Sequence, residues 1–437
     1  MLGLNLDRVT RELDSVKTLQ VTGRLKFVED RLACALPLAL GDQCQLNGRD
    51  VSLLAEVIGF TNGLPHLVPY ERQDAIQAGM AVVRLGRKRM VPVGPGVLGR
   101  VLDGLGRPAD GAGELNEILE VPVMHNPPSA LSRQRISDPF VTGQKAIDSM
   151  LTCGRGQRVG IFAGSGVGKS TLMGQIARTS EADLNVVALV GERGCELVPF
   201  IEDCLGEEGL ARSIVIISTC DQLPLMRIRA VETAVTIADY YRRQGANVLF
   251  FLDSLTRLAM AQRELGLSIG EPPSARGYTP SCFQLMARTL ESLGNSDRGS
   301  ITGFLTVLVD GGDLDEPVSD AARALLDGHI VLDRKIAESG QYPAINIAQS
   351  VSRAFLSITS KEHKDAARRL RAIMSLYSDV EDLIRIGAYK KGANPETDRA
   401  VELIGPIRTF LRQEVGTRFN LDETLTAMQR ISGMWPY

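Results

Sequence analysis

A chain of 437 residues is too long for one hydrophobic core, so two or three domains are expected. With 44% hydrophobic residues, 23% charged residues and a net charge of −3, it reads as a globular chain; composition gives no reason to expect nucleic acid or an acidic membrane surface as partner. The seven cysteines are odd in number with no CxxC, His66, His125, His329 and His363 lack metal-ligand spacing, and no apolar run spans a bilayer, which argues against a disulfide scaffold, a zinc protein and a membrane-spanning chain and predicts a cytoplasmic one.

At the N-terminus, Leu2, Leu6, Val9, Leu13 and Val16 recur at steps of four and three, the pattern of an amphipathic helix over 1–18. Such a stripe either packs on its own domain or docks a partner. From 21 to 85 the pattern changes to short strands punctuated by turn residues, with Asn47-Gly48 and Asn62-Gly63 as hairpin turns, and predicts a small β-barrel. The Gly- and Pro-rich stretch 91–113 reads as a connection between domains. Strands are then predicted at 158–162, 185–190, 213–218, 247–252, 300–309 and 329–332, with helices such as 171–179 and 225–243 between them. That alternation makes an α/β fold, a parallel sheet covered on both faces. After 360 the strand signals stop and the chain reads as helical. The expected division is 1–87, 88–360 and 361–437.

The sharpest chemical signal is AGSGVGKST at 163–171, placed between a predicted strand and a predicted helix. Glycines let the backbone curl so that successive N–H groups face the β- and γ-phosphates of a nucleotide. The helix behind adds its positive end. Lys169 supplies a full charge and Ser170 a hydroxyl for Mg2+. The nucleotide contacts are therefore expected from Ala163, Gly164, Ser165, Gly166, Val167, Gly168, Lys169, Ser170 and Thr171. Ala163 replaces the usual first glycine, at a strand exit where a small residue suffices.

Hydrolysis also needs a magnesium-side acid and a group that orients water. Asp253 ends an apolar strand, where a carboxylate faces the ligand crevice of a parallel sheet, and is the expected Mg2+ residue. Glu192 ends another strand at the same edge and can accept a proton from water. From the residues alone, Glu192-Arg193 is also readable as a surface ion pair.

These segments resemble the rotary-type hexameric ATPases, most closely the type III protein-export ATPases of flagella and injectisomes. The likeness runs from about Gly23 to the C-terminus. It is carried by VGPGVLGRVLDGLGRPADG at 93–111, FVTGQKAIDSMLTCGRGQRVGIFAGSGVGKST at 140–171 and VGERG at 190–194. FFLDSLTRLAMAQRE at 250–264, EPPSARGYTPSCF at 271–283 and LLDGHIVLDRKIAESGQYPAINIAQSVSR at 325–353 continue it. The resemblance implies a RecA-like P-loop core between the barrel and a C-terminal helical domain. It implies Glu192 as catalytic base, Arg193 as its helper, Asp253 as Mg2+ residue and Arg257 near the γ-phosphate. It further implies Tyr342 stacked on adenine, Phe410 completing that pocket, and Arg353 as a finger in the neighbouring subunit's site. Taken alone, Arg353 is equally a surface arginine and Tyr342 a core aromatic.

One chain carrying both Glu192 and Arg353 can supply both halves of an interfacial site, which implies a homo-hexamer. The segment 377–404 is similar to the export ATPases and lacks the acidic run of the synthase catalytic subunit. The implied ligands are ATP and Mg2+. The implied partners are a peripheral stator protein at the N-terminus, a central coiled-coil stalk, and export substrates with their chaperones. The implied location is the cytoplasm, peripheral to the inner-membrane export gate, with no nucleic acid. Two alternatives share the core: a Rho-like nucleic-acid motor and a rotary synthase catalytic subunit. The first needs basic and aromatic groups on its barrel, and residues 1–90 hold only Phe27, Phe60 and Tyr70 as aromatics.

Overall fold

The computed structural model describes residues 22–28, 31–71, 76–86, 88–123, 126–309, 315–392 and 394–436. The amphipathic stripe over 1–18 and His125 lie outside the described residues. The chain forms two compact units, one of residues 1–89 with 267–271 and one of the remainder.

In the first unit, β1 (Thr22–Val28), β2 (Arg31–Cys34), β3 (Gln43–Asn47), β4 (Ser52–Thr61), β5 (Leu64–Pro69) and β6 (Ala81–Arg84) close into an antiparallel barrel in the order β1-β2-β5-β4-β3-β6. Alternation puts Leu25, Cys34, Cys44, Leu46, Val57, Leu67 and Val82 inside. Asn62 and Gly63 both have positive φ, at 52° and 78°, the geometry a two-residue hairpin turn needs. Asn47-Gly48 instead opens a longer connection, in which the Gly48 N–H donates to the Val51 carbonyl at 2.8 Å.

The second unit is built on a mostly parallel sheet. Its main strands are β7 (Val101–Asp103), β8 (Arg158–Ala163), β9 (Leu184–Glu192), β10 (Ser213–Thr219), β11 (Asn247–Asp253), β12 (Ser300–Leu308), β13 (Gly328–Leu332) and β14 (Val351–Ser352). Their spatial order is β14-β13-β8-β12-β11-β9-β10-β7. Every neighbour pair on that path is parallel except β13 with β14. β9 is buried at every position, as a strand covered on both faces must be.

The stretch 91–113 corrects an expectation: it is part of the domain, not a connection. Met90–Val93 pairs with Leu119–Pro122, and β7 extends the parallel sheet beside β10. Glycines and prolines mark the turns, while Val91, Val93, Val101 and Leu102 between them are buried. Turn residues at short spacing masked apolar triplets too brief to show a period.

Helices α1 (Lys145–Met150), α2 (Lys169–Thr179) and α3 (Pro224–Arg243) pack in this unit. After residue 360 come α4 (Lys361–Arg385), α5 (Pro395–Leu411) and α6 (Leu421–Ser432). Ser360 caps α4 by accepting from the His363 N–H, and Asn394 caps α5 from Glu396 and Thr397. α4 buries His363, Ala366, Ala367, Leu370 and Ile373, a stripe at helical spacing. That stripe shares one apolar core with Ile147, Leu172 and Ile176, so the C-terminal helices are packed into the unit that carries the sheet.

Candidate active site: a phosphate loop flanked by buried carboxylates

Parallel strands gather their C-terminal ends at one edge, and the functional side chains leave from that edge. Ala163 is the last residue of β8 and 1% exposed, in register with Leu308 and Leu332. A Cβ is accommodated there, consistent with the loop beginning one residue later. Gly168 takes φ 89° and leads directly into α2, so Lys169, Ser170 and Thr171 occupy the first turn. The loop's Ser165 and Gly166 are exposed, while Val167 anchors it in the core.

Three of the expected residues converge on a small volume. Lys169 Nζ lies 2.6 Å from Asp253 Oδ1 and 3.6 Å from Glu192 Oε1. Asp253 is 3% exposed, and its Oδ1 also accepts from Thr306 Oγ1 at 2.7 Å. Glu192 is 5% exposed, with Arg257 Nη2 3.3 Å from its Oε2. Its Oε1 has no hydrogen-bond partner among the described residues. Such an orphan oxygen in a native site asks for a ligand or water. Burial, and secondarily the Asp253 carboxylate, raises the Glu192 carboxyl to about 7, with Lys169 and Arg257 opposing. Arg257 Nη1 also donates to the Gly191 carbonyl, which fixes it beneath the Glu192 turn. Arg193 is exposed at the start of the next helix.

Tyr342 stands over the loop. A Cβ built on Gly168 would lie 3.4 Å from its ring. The ring helps wall a cleft of about 520 Å³ with Gly168, Leu172, Gln175 and Val415. Phe410 does not join it. That side chain ends α5 buried in the core and lines a separate groove with Lys145 and Phe419. Helical phase decides this: Phe410 lies on the buried stripe with Leu403 and Ile407, while the chain beyond Leu411 turns Val415 to the cleft.

Arg353 is not at this site. It follows β14, whose Ser352 pairs with Gly328 at the start of β13, while the phosphate loop lies beyond the level of Leu332 at the other end. Four strand residues separate these levels, about 13 Å along the sheet. Arg353 is exposed and donates to the Arg323 carbonyl at 3.1 Å.

Sequence reasoning missed Thr306, Gln175, Gln413 and Val415. Thr306 lies near the end of a strand that also carries Ser300 and Thr302, so its hydroxyl did not stand out. Gln175 is on α2, the helix that continues the loop, while Gln413 and Val415 approach it only through tertiary packing.

A glycine-lined loop between strand and helix, a lysine on two buried strand-end carboxylates, and a mostly parallel sheet define a P-loop nucleotide-hydrolase fold. Comparisons with known proteins narrow it. Residues 143–352 match the model of the ATP synthase alpha/beta family, nucleotide-binding domain, and residues 359–430 that of the T3SS EscN ATPase C-terminal domain. The chain is 48% identical over 398 residues to the flagellum-specific ATP synthase of Bacillus subtilis (strain 168), covering 90% of this chain and 91% of that one. It is 42% identical over 418 residues to the type 3 secretion system ATPase of Xanthomonas euvesicatoria, covering 95% and 93%. Among solved structures, the assembled ATPase EscN from enteropathogenic E. coli superposes with a TM-score of 0.88 at 38% identity, over 94% of this chain and all of that one. EscN in complex with its central stalk EscO gives 0.87.

The chain belongs to the flagellar and type III secretion ATPase family, and it is an ATP-hydrolysing enzyme. Among the described residues, no helix is long and apolar enough to cross a membrane.

Proposed function

We propose that the chain hydrolyses ATP at sites shared between neighbouring copies of itself in a hexameric ring, and that this turnover drives protein export. The observation that carries the reading is the separation of Arg353 from the loop of its own chain, with Lys169, Asp253 and Glu192 gathered at the opposite end of the sheet. A second copy would bring its Arg353 to the loop. The relative solved as an assembled ATPase supports such a ring.

The residues fit Mg2+ of a particular kind. No cluster of three or more acidic, His or Cys side chains suited to a metal is present among the described residues. Mg2+ on a nucleotide needs none, because phosphate oxygens and water fill most of its shell. Ser170 and Asp253 would hold it, and it would supply neutralisation of the negative charge on the phosphates.

The protein's own groups do the rest. Lys169 exchanges Asp253 for phosphate oxygens, joined by the backbone N–H groups of 164–168. Glu192 Oε1 accepts the proton of a water that attacks the γ-phosphorus; the bond to the bridging oxygen breaks and ADP leaves. Arg257 holds the Glu192 carboxylate in place, and Arg193 lies beside it. The neighbour's Arg353 stabilises charge on the transferring group. Tyr342 stacks on the adenine.

The proposed partners are a stator protein at 1–18, a central coiled-coil stalk, and export substrates with their chaperones at the inner-membrane export gate; the structure of EscN with its central stalk EscO supports the second. The test mixes two dead variants. Arg353→Ala and Lys169→Ala each lose turnover alone; mixed and reassembled, they regain part of it, because some interfaces pair an intact Lys169 with an intact Arg353. Absence of recovery in mixed rings confirmed by mass would rule out a shared site.

A further inference from the structure

The chain between α5 and α6 walls the cleft beside Tyr342, yet residues 412–420 have no regular secondary structure. Something other than a helix or sheet must fix its shape, since its backbone groups lack the ladder that would do so. Gln413 fills that role. It is 4% exposed and its side-chain amide is fully used. Nε2 donates to the carbonyls of Gly143 and Thr417, each at 2.9 Å, and Oε1 accepts from the Lys145 N–H at 2.9 Å. Its own N–H donates to the Tyr342 carbonyl at 2.9 Å. One residue thus joins both walls of the cleft.

The anchor points are themselves fixed. The Thr142 carbonyl accepts from Thr179 Oγ1 at 2.7 Å, in the last turn of α2. Asp148 accepts from the N–H groups of Thr142 and Gly143, each at 2.9 Å. A second link is shorter: Gln175, in the middle of α2, donates to the Glu414 carbonyl at 3.3 Å. Both routes end on the helix that begins with Lys169.

We propose that Gln413 is a positioning residue for the nucleotide base: it holds Tyr342 and Val415 at a fixed distance from the phosphate loop, so that base affinity depends on it while phosphate affinity does not. This rests on the reading of the Tyr342 cleft as the base site. A residue that merely stabilises the fold would not distinguish a ligand with a base from one without.

The experiment measures binding of MgADP and of tripolyphosphate, which has no base, to the full chain by calorimetry. Gln413→Leu is expected to weaken MgADP about tenfold, the scale of one stacked base, and to leave tripolyphosphate within about twofold. Gln413→Asn, which keeps the amide but draws it back by one methylene from Gly143 and Thr417, is expected to shift MgADP in the same direction by less, and decides the matter should Gln413→Leu fail to fold. Equal changes in both ligands, or unchanged MgADP affinity while Tyr342→Ala weakens it, overturn the proposal. Unchanged MgADP affinity in Tyr342→Ala instead removes the base-site reading itself.

Discussion

Glu192 is a carboxyl on which opposing influences act within a few ångströms. Burial and the neighbouring Asp253 favour its neutral form, and Lys169 and Arg257 favour the charged form; the balance lies at about 7. A base must be unprotonated to accept a proton. The sign follows directly: turnover falls as pH drops through about 7 and levels off above it. Glu192→Gln removes the acceptor while keeping size and shape. It is expected to cut kcat by about 10²–10⁴ with ATP still bound, and to abolish the acid limb of the pH–rate profile. A variant with normal kcat would remove Glu192 from the mechanism. Much of this residue-level picture was legible in the sequence, because strand ends of a parallel sheet have a known direction and Glu192 and Asp253 sit on two of them. Thr306 was not, since which face of a buried strand meets the ligand depends on its neighbours in the sheet.

At the level of elements, α2 carries the loop and is wedged against the π-helical segment Phe200–Leu205. The contact is at Gly174, where a Cβ would stand 2.5 Å from the Cys204 carbonyl oxygen. Alanine is intrinsically better than glycine in a helix by about 1 kcal/mol. Overpacking against backbone costs about 1–3 kcal/mol and cannot be relieved by turning a side chain. Gly174→Ala is therefore expected to lower the urea midpoint, against its helix propensity; a raised midpoint would show that the two helices have room to separate. No pattern in the sequence marks Gly174, because the close approach is made by a segment some thirty residues away. The converse failure occurred at 91–113, where conspicuous turn residues hid an edge strand. Long periodic elements such as α3 and the barren strand signals after 360 were readable, because their periods extend over many residues.

For the whole molecule, the shared-site reading makes activity a property of assembly. Specific ATPase activity is expected to fall on dilution, in step with loss of the assembled species in sedimentation, and to be restored on concentration. Activity independent of concentration while the chain sediments as a monomer would overturn the shared site. The amino-acid sequence pointed here only through resemblance: Arg353 is one exposed arginine among many, and its spacing from the loop does not announce a partner.

The two ends of the central sheet have one further consequence. With the loop beyond β8 and Arg353 beside the start of β13, each chain presents a socket at one end and a plug at the other. On the shared-site reading such units can join head to tail, a heterologous contact that either closes into a ring or runs on as an open row. An open row always strands one socket and one plug. Closure into a circle is the arrangement that wastes neither, and it gives the circle a direction, so events at one interface have a defined next neighbour.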